Sequence, residues 1–161
     1  MDSLNTIKSI RHLLANDSSI RSILGSTSKQ DTLDTRLFYK DSVYAAKIDG
    51  YDFPHIAMKL DSDPDSIRGA DDNCLYLEID IVSSVQISGA SLKNLQIRDS
   101  IKKLLNNKHL AVNSTALTFS PAVVLKVRDI SWVSGITYDD KEQGSERRHK
   151  MICLFKLVVG D

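Results

Sequence analysis

The chain has 161 residues, enough for one domain (1–161) with a hydrophobic core and short for two. Its 21 basic and 21 acidic residues cancel, so it lacks the basic surplus that holds nucleic acid by bulk electrostatics, although a local patch stays open. Hydrophobic residues at 42% and charged residues at 26% are those of an ordinary soluble globular protein.

Leu4, Ile7, Ile10 and Leu14 form one helical stripe, with Asp2 or Ser3 available as a cap. Asn16-Asp17-Ser18-Ser19 breaks it. A short helical turn, Ile20–Leu24, comes next and stops at Gly25. Ser26–Asp34 is polar and reads as a loop. Arg36–Lys40 reads as a short aromatic strand, and Asp49-Gly50 as a turn. Phe53–Leu60 reads as a strand that tolerates Pro54 near its start.

Asp61–Asn73 reads as an acidic loop. Asp61, Asp63, Asp65 and Asp72 approach the spacing of a calcium loop, but Pro64 stiffens it and Ser66 stands where a glycine is needed. A solvated loop is the expectation. Cys74–Ser83 is the clearest strand. Leu75, Leu77, Ile79 and Ile81 alternate with Tyr76, Glu78 and Asp80, so one face is core and the other wet or turned to a partner.

Ser91–Asn107 reads as the second amphipathic helix, with Leu92, Leu95, Ile101, Leu104 and Leu105 on its apolar side. Two strand segments come after it, Ala122–Ile130 and Ser131–Tyr138, with Trp132 expected to pack on the sheet. Asp139–Lys150 reads as a polar hairpin tip. Met151–Val159 is apolar on both faces apart from Lys156, which predicts a central strand. The order helix, strands, helix, strands predicts an α+β fold. Its sheet would be mainly antiparallel, with two helices packed on one face and a long C-terminal β-hairpin.

Catalytic chemistry finds little footing. His12, His55, His109 and His149 lack ligand spacing, and none neighbours a Ser or Cys nucleophile; His55 is expected buried and the others exposed. Cys74 and Cys153 are expected to be small buried apolar groups. No phosphate-binding glycine motif occurs. The expectation is a non-enzyme with no catalytic residue, no cofactor and no metal. No apolar run approaches the ~20 residues that cross a bilayer. Met1–Asn5 has neither the basic nor the apolar region of a signal peptide, so a protein made in a cytoplasm that stays soluble is expected.

On these elements the chain resembles the tail-terminator, or tail-completion, proteins of long-tailed bacteriophages. The resemblance rests on the Leu4–Leu14 helix with its Ser-rich break and Ile20–Leu24, on Phe53-Pro54-His55-Ile56, and on Leu75–Ile81. It extends to Ser91–Leu105 and to the stretch Tyr138-Asp139-Asp140 to Arg147 that leads into Met151–Val159 with Phe155. Thr35–Asp52 and Asp61–Asn73 are longer than the family's usual connections. The resemblance implies a structural virion protein, made in the host cytoplasm, that forms a ring, typically a hexamer, at the head–tail junction. Such a ring ends tube polymerisation, meets the tail tube protein and the neck or head-completion protein, and passes double-stranded DNA without specific binding. No membrane is involved. Asp139, Asp140, Glu142, Arg147, Arg148 and Lys150, together with Asp61, Asp63 and Asp65, are the candidate interface. The alternatives are another neck or minor tail protein of similar build, or a small enzyme or regulatory binding domain.

Overall fold

The computed structural model describes residues 3–40, 54–62, 74–84, 88–106, 110–112, 125–141 and 147–160. Three helices open it: α1 (Ser3–Asn16), α2 (Ser18–Leu24) and α3 (Lys29–Thr35). Asp17 separates the first two and caps α2, its carboxylate accepting from the Ile20 N–H at 2.9 Å. Gly25 stops α2 in the left-handed region at φ 75°, a conformation that costs other residues strain. Helix α3 lies where polarity predicts a loop. It begins in a variant of the capping box that reaches one residue further back: Ser28 Oγ accepts from the Asp31 N–H at 3.1 Å, and the Asp31 carboxylate accepts from the Thr27 N–H at 2.7 Å. Arg11 ties α1 to α3 and to the residues just beyond it, donating to the Leu33 and Leu37 carbonyls and lying over the Tyr39 ring.

Six described strands form one sheet in the order β1-β2-β3-β6-β5-β4. They are β1 (Leu37–Tyr39), β2 (His55–Ser62), β3 (Cys74–Ser84), β4 (Leu110–Val112), β5 (Leu125–Lys141) and β6 (Arg147–Gly160). Helix α4 (Ala90–Leu105) lies between β3 and β4 in sequence. Pairing is antiparallel except at β1–β2, which run parallel over three residue pairs. The fold is therefore mixed α/β. β6 lies between β3 and β5, the central place its two apolar faces predict.

Several boundaries move. The two segments expected after Pro121 are one strand of 17 residues, kept continuous by register shifts at Val127/Asp129 and Trp132/Ser134. Asp139 and Asp140 belong to β5, and Arg147, Arg148, His149 and Lys150 belong to β6, so these residues are not a hairpin tip. Asp61 belongs to β2 rather than to a loop. The Asp49-Gly50 turn, most of the acidic loop with Asp63, Asp65 and Asp72, and also His109, Pro121 and Glu142, lie outside the described residues.

The alternation in β3 is borne out. Leu75, Leu77, Ile79 and Ile81 are buried in one core with Ile10, Leu14, Ile20, Leu24, Ile97 and Ile101 from the helices and with Met151, Cys153, Phe155 and Leu157 from β6. In α4 the buried stripe is Ala90, Asn94, Ile97, Ile101 and Leu105. Leu92 and Leu95 were expected in that stripe but are exposed, at 59% and 38%. The polar member of the true stripe, Asn94, is buried because both ends of its amide are engaged. Its Oδ1 accepts from the Ser83 hydroxyl, and its Nδ2 donates to the His149 carbonyl at 3.2 Å. Asn94 thereby ties α4 to β3 and β6 together. Among the described residues, no helix is long and apolar enough to cross a membrane.

Candidate functional site

Among the described residues a set of buried charges lies on the other face of the sheet, opposite the odd-numbered core residues of β3. Strand parity brings His55 and Ala57 of β2, Asp80, Val82 and Ser84 of β3, and Arg148 and Lys150 of β6 to that face, and all seven are buried. Asp80 is 1% exposed and sits opposite Ala57 in register. Its Oδ2 is shared by two ammonium groups, Lys150 Nζ at 3.1 Å and Lys40 Nζ at 3.2 Å. Lys40 comes directly after β1, so its chain must pass over β2 to arrive. Lys40 also pairs with the half-buried Glu78, one step along β3.

A carboxylate taken out of water must be paired. Burial pushes the proton affinity of Asp80 up, while Lys150 and Lys40 act against that and keep the charge compensated. Burial acts against the Lys40 charge, but Glu78 and Asp80 outweigh it and hold its pKa above the usual lysine value. Lys40 is thus a fixed cation and a poor nucleophile. Beside it, the His55 ring meets Phe38 edge-on, with centroids 5.6 Å apart.

Elsewhere burial pushes the Cys153 thiol up to about 12, so it stays protonated and inert at neutral pH. His12 is half-buried rather than exposed; its pKa is lowered by burial and by the nearby Lys29 and Arg11. His149 is also half-buried. Among the described residues no three His, Cys, Asp or Glu side chains gather to hold a metal ion.

Trp132 packs on the sheet as expected. Its ring meets Phe155 edge-on at 5.3 Å, and Lys102 of α4 places its ammonium 4.4 Å from the ring centroid. The ring also lies so close to Gly135 that a Cβ there would stand 2.9 Å from Trp132 Cη2.

Five of the nine predicted interface residues lie together at one end of the β5–β6 pair, and Asp61 lies apart on β2. Asp61 pairs with Tyr76 across β2–β3. Asp139 and Asp140 pair with His149 and Arg148 across β5–β6, and Arg147 pairs with Lys141. Arg148 and Lys150, expected on an exposed tip, are buried within the chain itself. The hairpin composition misled because a β5 and β6 so polar near their junction look like loop. Lys40 and Asp80 were missed as a pair. Parity alone places Asp80 away from the helices, and Lys40 has the matching parity in Leu37-Phe38-Tyr39-Lys40. A scan against protein-family models gives no match, and no curated protein matches the chain.

Proposed function

We propose that this chain is a structural subunit of the tail-terminator kind, building a ring at the head-proximal end of a phage tail tube. In this reading α1 and α4 form the helical layer on one sheet face, and β5–β6 form the long closing arm. The observation that supports it most is the sequence of elements. A broken N-terminal helix, an antiparallel β2–β3 pair and α4 are succeeded by a long β5–β6 pair whose second strand enters the centre of the sheet. The same order carries the resemblance to that family. Such a subunit would end tube growth, join the tail tube protein to a neck protein, and let double-stranded DNA pass. It is a virion component without catalysis. Balanced charge suits a conduit that must not grip phosphate.

A head-to-tail ring needs two different complementary patches on each subunit. Because Arg148 and Lys150 serve the subunit's own fold, docking falls to Asp139, Asp140 and Arg147 at the far end of the arm, with Glu142 beside them in sequence, and to the Asp61–Asp65 segment. The test is negative-stain imaging of the purified chain, alone and with co-expressed tail tube protein. Rings, or caps on tube ends, are expected in at least one sample. Monomers without rings or caps in both would overturn the reading. Arg147→Glu is the matching charge reversal, and it should weaken assembly while the subunit stays folded.

A further inference from the structure

Among the described residues two large apolar side chains are exposed, Leu92 and Leu95, and they are neighbours one turn apart on α4. They take no part in the packing of the helix on the sheet, whose stripe is Ala90, Asn94, Ile97, Ile101 and Leu105. The exposed face continues through Gln96 and Asp99 to Lys103. Asp99 is held by Arg98 of the same helix at 2.7 Å, so those two charges cancel. Lys93 beside Leu92, and Lys103 two turns beyond Leu95, leave the face basic.

The sequence holds a segment of the opposite sign. Residues 63–73 carry Asp63, Asp65, Asp71 and Asp72 against Arg68 alone. Ile67 is the one large apolar residue among them, and it stands between the two acidic pairs. We infer that Ile67 and these aspartates dock on the Leu92–Leu95 face of α4 in a second copy of the chain. The inference rests on the ring reading and names the two complementary patches at a subunit boundary. Ile67 meets the leucines at the centre, and the carboxylates meet Lys93 and Lys103 on either side. These lysines are about 15 Å apart along the helix axis, a distance that the chain from Asp65 to Asp71 can span.

Chain length decides between the segment's own helix and a neighbour's. Ser62 pairs with Leu75, so residues 63–73 leave and rejoin the sheet at the start of β3. A connection of that length, returning to its origin, reaches out at most about 20 Å, half its extended length. The leucines are at the other end of β3, where Asn94 of α4 bonds the Ser83 hydroxyl and the His149 carbonyl. From Cys74 to Ser83 is about 30 Å at ~3.3 Å per residue. The segment therefore cannot cover the leucines of its own chain. Its origin and the leucine face are at opposite ends of β3, and two unlike patches so placed suit a head-to-tail contact.

The experiment is disulfide trapping with the full chain in a Cys74→Ser background, where the remaining Cys153 is buried. A chain carrying Ile67→Cys is mixed with one carrying Leu92→Cys, at high protein concentration and low salt under mild oxidation. The mixed dimer should exceed either chain's dimer with itself about tenfold. Adding Leu95→Asp to the Leu92→Cys chain sets a carboxylate against the acidic segment and should lower the yield about tenfold. Raising salt from about 0.05 to about 0.5 M should lower it several-fold. Absence of the mixed dimer overturns the contact, as do self-dimers in equal yield or indifference to Leu95→Asp or to salt. So does a bridge closed within one chain when both cysteines are placed in it. Negative-stain images separate this result from the ring reading. Rings or caps without a trapped dimer refute the contact and leave the ring. A trapped mixed dimer with neither rings nor caps supports the contact and refutes the ring.

Discussion

Replacing Asn94 by alanine tests whether one buried amide joins the helix to the sheet. Asn94 is 1% exposed, and its two hydrogen bonds end on a buried serine hydroxyl and on a backbone carbonyl of β6. Each such bond contributes about 0.5–1.5 kcal/mol net, and a partner left buried without a bond costs about 1–3 kcal/mol. Asn94→Ala should therefore destabilise the fold by ~2–4 kcal/mol. Ser83→Ala, which leaves the Asn94–His149 bond in place, should cost about half as much. Urea unfolding monitored by circular dichroism would measure both, and the slope should stay constant while the midpoint falls. The double variant should cost less than the sum of the singles by about 1 kcal/mol, because one bond is counted in both. A cost for Asn94→Ala below ~0.5 kcal/mol, or additivity within ~0.3 kcal/mol, would show that packing rather than this amide seats α4.

Leu77 is fully buried at the centre of β3, so Leu77→Ala should cost ~2–4 kcal/mol in the same assay, and a loss under ~1 kcal/mol would contradict its burial. Gly135→Ala places a methyl against the Trp132 ring, which must shift off Phe155 and Lys102. A loss of ~1–3 kcal/mol and a changed tryptophan emission are expected, and unchanged emission would refute the close approach. In a Cys74→Ser background Cys153 should resist a thiol reagent at pH 8 until urea unfolds the chain. Its folded pKa of about 12 lies above the ordinary 9.0, so the stability linked to the neutral thiol is present below about pH 9 and falls as pH rises toward 12. Rapid labelling of the native protein would contradict the burial.

The strictly periodic parts of the sequence were the legible ones. Leu75–Ile81 alternates without interruption, so the pleat dictates its register, and the two-sided apolar run of Met151–Val159 gave β6 its central place. Periodicity failed where polar residues took structural work. Asn94 occupies a core position of α4, and its polarity shifted the apparent stripe onto Leu92 and Leu95. Helix α3 was hidden by its polarity, although Ser28 and Asp31 have the spacing of a capping box. Alternation places Asp80 on the correct face, which reads as wet or turned to a partner. Its burial depends on Lys40 and Lys150, one arriving from a separate strand and the other from far along the chain. Local pattern carries no information about such a meeting. The polar ends of β5 and β6 looked like a loop for the same reason: each is ordered by pairing with the other.

The central place of β6 has a consequence for how the protein is made. β6 is synthesised after every other described strand, yet it lies between β3 and β5. Until it emerges from the ribosome, β3 has one edge without its partner, and β5 has no strand joining it to the β1–β2–β3 half. The N-terminal helices, with β1 to β3, can collapse early, but only as an open-edged half-sheet. Pairings between residues so distant along the chain are slow to form because the loop between them must first be closed. A nascent chain that stalls before Arg147 would thus expose two long unpaired strand edges at once, the kind of template on which neighbouring chains aggregate. Productive folding of this sheet is timed by β6, and chaperone dependence should concentrate in that interval.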